Sequence, residues 1–276
     1  MTLAFKNLWK QYGNVIATND VTTEFLPGLI YGIIGPNGAG KSTLINMTAG
    51  SYQVSSGAIT LDGKHLERLQ KHQIANAGVA RTYQNIRLFD QMTALENLEV
   101  CFYPTDVWKS WKEVAWPPFN RAQQKHRRDI CMGILKSFNL QAYANFEAGS
   151  LPYGRQRMLE IARALVMNPR VLLLDEPAAG LNHHETAELT ERLAALRSPD
   201  RIMIVVEHDM DLVMTVCDNI VVMHHGKLLF QGTPAEVQAN SEVQLAYLGT
   251  DNDIDEIRAA AENRRAKLGI RTRQRT

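Results

Sequence analysis

Gly35-Pro36-Asn37-Gly38-Ala39-Gly40-Lys41-Ser42 matches the phosphate-loop pattern GxxxxGK[ST] at every fixed position. In this pattern, glycines let backbone N–H groups converge on phosphate oxygens. The surroundings agree, because the apolar run Leu29–Ile34 precedes the loop and the helix-like run Ser42–Ala49 follows it. The sequence therefore predicts a strand, a phosphate-binding loop and a helix whose N-terminus adds partial positive charge.

Two side chains of this loop and two later acids predict hydrolysis of magnesium–ATP. Lys41 is long enough to reach the β- and γ-phosphates, and the Ser42 hydroxyl suits magnesium. The apolar run Val171–Leu174 ends in Asp175 and Glu176, and ligands of doubly wound sheets lie outside the carboxyl ends of strands. We expect Asp175 to hold magnesium and Glu176 to polarise the attacking water as general base. A water-activating acid favours hydrolysis over transfer to a second substrate.

Strand-like and helix-like segments alternate along the chain and predict an α/β fold. The apolar runs Val171–Leu174 and Ile202–Val206 flank a helical segment at 183–197, and this β-α-β order predicts a parallel sheet. Helical patterns replace strands from about 93 to 167. There, Thr93-Ala94-Leu95-Glu96 has the pattern of a capping box, and Asn120 is expected to cap a basic helix at 120–138.

The sequence leaves two interpretations open for each of two segments, the tryptophan-rich stretch and the C-terminal tail. The tryptophan-rich stretch Tyr103–Phe119 is expected either to pack its own aromatic rings or to dock a partner. The tail at 251–276 opens with acids and closes with arginines. It is predicted to be a frayed, solvated end or a contact with anionic lipid or a partner protein.

Composition and charge narrow the choice of partner. Of the 276 residues, 45% are apolar and 21% are charged, with a formal net charge of +1. No global field attracts nucleic acid, so we expect no nucleic-acid partner. No apolar run reaches the ~18 residues of a membrane span, and Met1–Lys10 does not resemble a secretion signal. The scattered Cys101, Cys131 and Cys217 favour structural thiols in a reducing cytosol over disulfides or zinc ligands.

The order of these motifs resembles the nucleotide-binding subunits of ATP-binding cassette (ABC) transporters over roughly residues 3–250. The resemblance implies that Tyr12 stacks on adenine, Gln84 senses magnesium and water, and His208 contacts the γ-phosphate. It also implies that Asn182, where Asp is more common, ends a short loop that crosses a dimer interface. The nucleotide-binding residues that it implies on one chain are Tyr12, Gly35, Pro36, Asn37, Gly38, Ala39, Gly40, Lys41, Ser42, Thr43 and Asn182. The catalytic residues are Lys41, Gln84, Glu176 and His208, and the magnesium ligands are Ser42, Gln84 and Asp175.

The segment Leu151–Gln156 occupies the position of the family's signature, Leu-Ser-Gly-Gly-Gln, and departs from it. Pro152 replaces Ser, Tyr153 replaces the first Gly, and Arg155 replaces Gln. Pro152 suits the first position of a helix, and Gly154 is the surviving core of the motif. In the family, each signature serves the nucleotide on the opposite subunit. Tyr153 and Gly154 are therefore expected to act in trans, in a homo- or heterodimer of ATP-binding chains.

The resemblance implies an α/β fold with a P-loop NTPase (ABC ATPase) core built on a parallel sheet. An antiparallel β subdomain and an inserted α-helical subdomain complete it. We expect one ATP-binding domain over residues 1–250, with the helical subdomain inserted at about 93–167. Residues 251–276 then form a charged C-terminal tail.

Several departures resemble one branch of the family, the branched-chain amino acid import group. They include Leu151–Gly154, Val79–Phe89 and Ala246–Gly249, and they favour the larger of that group's two ATP-binding chains. The implied function is an ATPase that powers uptake of branched-chain amino acids or a related small polar or amide solute. The ATPase of a lipopolysaccharide-type exporter and a soluble non-transport ABC ATPase stay open as alternatives.

The same resemblance implies a set of partners and a location. The chain would work with a second ATP-binding subunit and with polytopic membrane permease subunits, and indirectly with a solute-binding protein. It would sit as a peripheral subunit on the cytoplasmic face of the inner, or plasma, membrane. ATP and Mg²⁺ are the expected cofactors.

Overall fold

A computed structural model describes residues 1–102, 117–248 and 267–268. The chain divides into two compact units, one made of Met1–Gln84 with the residues from Arg170 onward and the other of Asn85–Pro169. Most of the tryptophan-rich stretch and nearly all of the charged tail lie outside the described residues. Within those residues, no helix is both long and apolar enough to cross a bilayer.

The first unit contains two sheets. In chain order, their strands are β1 (Leu3–Tyr12), β2 (Val15–Phe25), β3 (Ile30–Ile34), β4 (Ser56–Leu61), β5 (Lys64–His65), β6 (Val79–Arg81), β7 (Val171–Asp175), β8 (Ile202–Val206), β9 (Asn219–His224) and β10 (Lys227–Gly232). One sheet is antiparallel with the order β2-β1-β4-β5. The other has the order β10-β9-β3-β8-β7-β6, and β10 alone runs antiparallel to its neighbour there.

Helices connect the strands of the first unit and make up most of the second. The α-helices are α1 (Lys41–Thr48), α2 (Lys71–Asn76), α3 (Ala94–Glu99), α4 (Pro117–Ser137), α5 (Tyr153–Leu165), α6 (His183–Ala195), α7 (Met210–Val216), α8 (Pro234–Ala239) and α9 (Ser241–Val243). Single 3-10 turns lie at Leu66–Arg68, Val100–Phe102, Gln141–Tyr143 and Ala148–Ser150, and a π-helical turn at Gln244–Leu248.

The mainly parallel sheet brings the predicted site residues to one edge. All residues of β3, β7 and β8 are buried, which explains why their sequences are unbroken apolar runs. Since β8 lies between β3 and β7 and all three are parallel, their carboxyl ends face the same side. The phosphate loop follows β3, Glu176 follows β7 and His208 follows β8.

A buried cluster packs between the antiparallel sheet and the mainly parallel one. Phe25 makes edge-to-face contacts with Phe5 and Tyr31, with ring centroids 5.2 and 4.9 Å apart. Ile33 and Leu173 of the parallel strands belong to the same cluster. The antiparallel strands are therefore fixed against the strands that carry the site.

Helix starts in the second unit both confirm and correct the sequence-based expectations. The capping box is confirmed, since the Thr93 hydroxyl accepts from the Glu96 N–H and the Glu96 carboxylate accepts from the Thr93 N–H. The expectation that Asn120 caps a helix is wrong, because α4 already begins at Pro117. Proline fits a first turn, where no intrahelical N–H bond is lost. Pro152 is likewise not the first helical residue but the N-cap of α5.

Candidate active site

The phosphate loop joins β3 to α1 in a conformation that requires glycine. Gly35, Gly38 and Gly40 have φ angles of +151°, +81° and +98°. A Cβ atom on Gly35 would lie 2.1 Å from the Met223 carbonyl oxygen, and one on Gly40 would lie 2.3 Å from the Ala17 carbonyl oxygen. The backbone at Gly35 and Gly40 therefore leaves no room for a side chain. The glycine pattern thus follows from close packing of the loop as well as from its φ angles.

Replacing Gly40 by alanine is expected to weaken ATP binding at least about tenfold, because the loop must shift to relieve the Cβ clash. The control is Gly63→Ala, since Gly63 has a φ of +79° but no atom within 4 Å of a built Cβ. That control shares the backbone strain and lacks the clash. Titration calorimetry with ATP measures both variants. Equal affinities would show that the close approach at Gly40 does not shape the phosphate loop.

Lys41 is buried at the start of α1, and its ammonium is held by its own loop. The Nζ atom donates to the carbonyl oxygens of Gly35 at 2.7 Å and Pro36 at 3.1 Å. Burial lowers the pKa of Lys41, and the negative charges of Glu176 and Asp175 act in the opposite direction. The ammonium is therefore held at the mouth of the loop, close enough to both acids to feel their charges.

The next two residues of α1 differ in their access to solvent. Ser42 is exposed and Thr43 half-buried. The Ser42 hydroxyl is thus accessible to a ligand from outside. Of the loop itself, Asn37 and Gly38 are also exposed, whereas Ala39 is buried.

The structure brings the predicted base into contact with Gln84. The Gln84 Nε2 atom donates to the Glu176 Oε2 atom at 2.8 Å, although the two residues lie far apart in the chain. Glu176 directly follows β7 and has a φ of +47°, which is uncommon for a residue other than glycine. Such local strain is most often found at functional sites. The Glu176 backbone N–H donates to the Val206 carbonyl at 2.9 Å, and this bond fixes the turn that carries the predicted base.

Arg81 holds Asp175 in place and was not singled out from the sequence. Its Nη2 atom lies 3.2 Å from Asp175 Oδ2, and both side chains are nearly buried. Its Nη1 atom donates to Asn46 Oδ1 in α1 at 2.8 Å, and the guanidinium lies 4.4 Å from the centre of the Tyr83 ring. One cation thus links the helix of the phosphate loop to the predicted metal ligand. The signal that the sequence offered was a charged residue three positions before Gln84.

His208 and Glu207 follow β8, and only the first was predicted as a site residue. The His208 side chain is 64% exposed, and its Nδ1 atom lies 3.7 Å from Glu207 Oε2. The Glu207 side chain is fully buried. Burial raises the pKa of the Glu207 carboxyl, while the backbone N–H groups of Ala178, His208 and Asp209 and the His208 charge oppose that rise.

Residues of the loop after β7 and of the loop after β8 together line a cavity of about 300 Å³. Asn182 lines it and is also the N-cap of α6, because its Oδ1 atom accepts from the Glu185 N–H at 3.0 Å. The Glu185 carboxylate accepts from the Asn182 N–H in return. This capping box satisfies the Asn182 side chain within the protein. The role of Asn182 in nucleotide binding stays a prediction.

Tyr12 lies at the end of β1 with an exposed ring, as a base-stacking residue requires. Tyr52, which sequence reasoning missed, meets it edge-to-face with ring centroids 5.8 Å apart. The Lys10 Nζ atom lies 4.6 Å from the centre of the Tyr12 ring and donates to the Gln53 carbonyl. The Tyr12 ring is therefore held by neighbours from two segments while it stays exposed.

The signature residues lie in the second unit, at the start of α5. Gly154 is buried and Tyr153 is exposed. The Tyr153 hydroxyl accepts from Arg157 Nη2 at 3.1 Å, and Arg157 Nη1 donates to Glu160 Oε2 at 3.0 Å. A buried ion pair one turn further along the helix thus positions the tyrosine that replaces the usual first glycine.

Two protein-family models match this chain, one over its N-terminal and central part and one near its C-terminus. A model described as ABC transporter matches residues 18–179, which is more than half of the chain. A second, described as branched-chain amino acid ATP-binding cassette transporter, matches residues 227–253. The two matches cover the phosphate loop, the signature and the C-terminal strand of the parallel sheet.

Curated relatives match nearly the whole chain. The high-affinity branched-chain amino acid transport ATP-binding protein BraF of Pseudomonas aeruginosa is 42% identical over 248 residues, which are 90% of this chain and 97% of BraF. LivG of Escherichia coli K12, which carries the same description, is also 42% identical with the same coverage. A probable LivG of Archaeoglobus fulgidus is 31% identical over 92% of this chain and 98% of its own length.

Solved structures show the same fold. An ATP-binding cassette of an ABC transporter in its ADP conformation aligns with a TM-score of 0.76 and 28% identity, over 91% of this chain and 100% of that one. A nucleotide-free cassette gives a TM-score of 0.76 and 27% identity with the same coverage.

Fold and site together define an ATP-binding cassette, and the chain belongs to the ABC transporter family. Within that family, the identities place it among the ATP-binding proteins of branched-chain amino acid transport. The predicted ABC ATPase fold, the ATPase activity and the branch are thereby confirmed.

Proposed function

We propose that this chain hydrolyses magnesium–ATP to power an importer of branched-chain amino acids or of a related small polar or amide solute. The observation that carries the proposal is 42% identity to BraF and LivG over 97% of their lengths. The lipopolysaccharide-exporter and non-transport alternatives have no comparable support. The partner subunits, and not this chain, bind the solute. The proposed solute class is therefore inferred from the names of the relatives.

The residues of the site divide the work on ATP between binding and hydrolysis. The phosphate loop and Lys41 bind the phosphates, with the ammonium exchanging its loop carbonyls for phosphate oxygens. Glu176 takes a proton from the attacking water, and the Gln84 amide, 2.8 Å away, orients that carboxylate. His208 is exposed at the adjacent strand end, where its imidazole can contact the γ-phosphate. Tyr12 offers an exposed ring to the adenine.

The donor set at this edge fits Mg²⁺. Magnesium prefers hard oxygen ligands and few protein carboxylates, and usually keeps several waters. Ser42 offers a hydroxyl, Gln84 an amide oxygen and Asp175 a carboxylate. When bound, Mg²⁺ would neutralise charge on the β- and γ-phosphates. Arg81 restrains the Asp175 carboxylate through an ion pair at 3.2 Å.

The site is completed by a second ATP-binding chain. Tyr153 and Gly154 serve the nucleotide of the opposite subunit, and the loop that ends at Asn182 crosses the interface. Polytopic permease subunits and a solute-binding protein complete the transporter. This chain lies peripherally on the cytoplasmic face of the inner membrane.

Reconstitution with the permease subunits tests the proposal. In vesicles that also hold the second ATP-binding chain, we expect uptake of labelled leucine, isoleucine or valine only with Mg–ATP and the solute-binding protein. Urea and short amides serve as alternative solutes in the same assay. Uptake of none of them, alongside normal ATP hydrolysis, would contradict the import function.

A further inference from the structure

Glu207 is a fully buried carboxylate that no step of ATP hydrolysis uses. It follows β8 directly and accepts three backbone hydrogen bonds. Its Oε1 atom accepts from the Ala178 N–H at 2.7 Å. Its Oε2 atom accepts from the His208 N–H at 3.0 Å and more weakly from the Asp209 N–H at 3.4 Å. A buried charge is costly unless hydrogen bonds satisfy it, and these three backbone donors satisfy the Glu207 carboxylate.

The two oxygens of Glu207 serve two different loops. We call residues Glu176–Ala179 the base turn and residues Glu207–Asp209 the switch loop. One oxygen binds the base turn through Ala178, and the other binds the switch loop through His208. The carboxylate therefore ties the turn of the general base to the loop of the γ-phosphate histidine.

A second contact from the same strand end supports this link. The Glu176 N–H donates to the carbonyl of Val206, the residue before Glu207. The base turn is also closed on itself, since the Ala179 N–H donates to the Glu176 carbonyl at 3.1 Å. The turn is thus anchored to the end of β8 at two points, by a main-chain bond and by the Glu207 side chain. Both anchors act on the segment that holds Glu176 at positive φ.

We propose that Glu207 is a positioning residue that fixes the general base Glu176 and the switch residue His208 relative to each other, so that it controls turnover rather than nucleotide affinity. This inference rests on the proposed roles of Glu176 and His208 in ATP hydrolysis. It follows that the site depends on an acceptor with two oxygens at this position. An amide cannot replace it, because an amide offers one acceptor and one donor.

Glu207→Gln tests this directly, because the side chain keeps its size. In either orientation, its NH₂ group faces a backbone N–H of one of the two loops, and one link is lost. We expect kcat for ATP to fall at least about tenfold, while the Kd for ATP, measured without magnesium, changes by less than about twofold. The control is Glu236→Gln, which keeps the capping box of α8 because glutamine also serves at that position.

Glu207→Asp is the second variant. Aspartate keeps two acceptor oxygens on a shorter stem, so we expect its kcat to lie between those of Glu207→Gln and the wild type. Turnover is expressed per nucleotide bound, which corrects for any unfolded fraction. Wild-type kcat in Glu207→Gln, an equal loss of kcat and ATP affinity, or a Glu207→Asp variant no better than the glutamine variant would each overturn the proposal. All variants are assayed in the complex with the second ATP-binding chain and the permease subunits, and absence of hydrolysis by the wild-type complex would instead contradict the proposed function.

Discussion

Glu176→Gln is expected to lower the turnover number for ATP by roughly 100-fold or more while ATP stays bound. The amide has the shape of the carboxylate but cannot take a proton from water at neutral pH. The Gln84 Nε2 atom donates to Glu176 Oε2, and the amide oxygen of the new residue can still accept that bond. Nucleotide binding should therefore survive, because the phosphate loop and Lys41 are untouched.

The measurement is single-turnover hydrolysis of labelled ATP with the bound nucleotide analysed at intervals. Glu185→Gln serves as the matched control, since Glu185 lies nearby at the third position of α6, where glutamine also completes the capping box. We expect the control to turn over like the wild type and Glu176→Gln to retain unhydrolysed ATP. Wild-type turnover in Glu176→Gln would contradict the assignment of Glu176 as general base and would leave His208 as the candidate for that role.

The sequence was sufficient to predict the main-chain frame of the site. The phosphate loop and the acids after Val171–Leu174 are local patterns, and each lies at the end of an apolar run. Such runs are long enough to indicate strands buried on both faces. Parallel strands in turn bring those ends to one edge of the sheet. The loop, Asp175 and Glu176 therefore needed no tertiary information, whereas His208 was predicted only from the resemblance to the family.

The side chains that hold this frame together were not predictable in the same way. Arg81 binds Asp175, and Glu207 binds Ala178. Each contact joins residues far apart in the chain, and it forms only because their strands lie side by side in the sheet. A single sequence does not give the order of strands in the sheet. Tyr52 was missed for a similar reason, because it meets Tyr12 only after the antiparallel sheet has formed. These residues determine how rigidly the predicted groups are held.

The ion pair of Arg157 and Glu160 was also not predicted, because a spacing of three residues on a helix does not show whether a pair is buried. They lie three positions apart on α5, where side chains of a helix meet. On an exposed helix such a pair contributes only a few tenths of a kcal/mol. Here Arg157 is 0% exposed and Glu160 2%, so the two charges are removed from water together. Removing one partner of a buried pair leaves an uncompensated charge and is far more damaging than removing a surface pair.

Arg157→Met is therefore expected to lower the free energy of unfolding by about 3–5 kcal/mol. The control in the same unit is Arg128→Met, whose ion pair with Glu99 at 3.8 Å is largely exposed and should cost less than about 1 kcal/mol. Urea denaturation followed by circular dichroism measures both. A loss as small as that of the control would show that Glu160 is not held as a buried anion.

The double variant Arg157→Met with Glu160→Leu separates the charge from the packing. Two apolar side chains of similar volume remove both desolvation costs, so most of the lost stability should return. Recovery should be incomplete, because Glu160 Oε1 also accepts from the Arg87 N–H at 3.3 Å and leucine cannot. ATP turnover should not recover in parallel, since the Tyr153 hydroxyl has lost the Arg157 hydrogen bond that positions it at the signature. A double variant that regains stability but not turnover would assign the pair to the signature and not to folding alone.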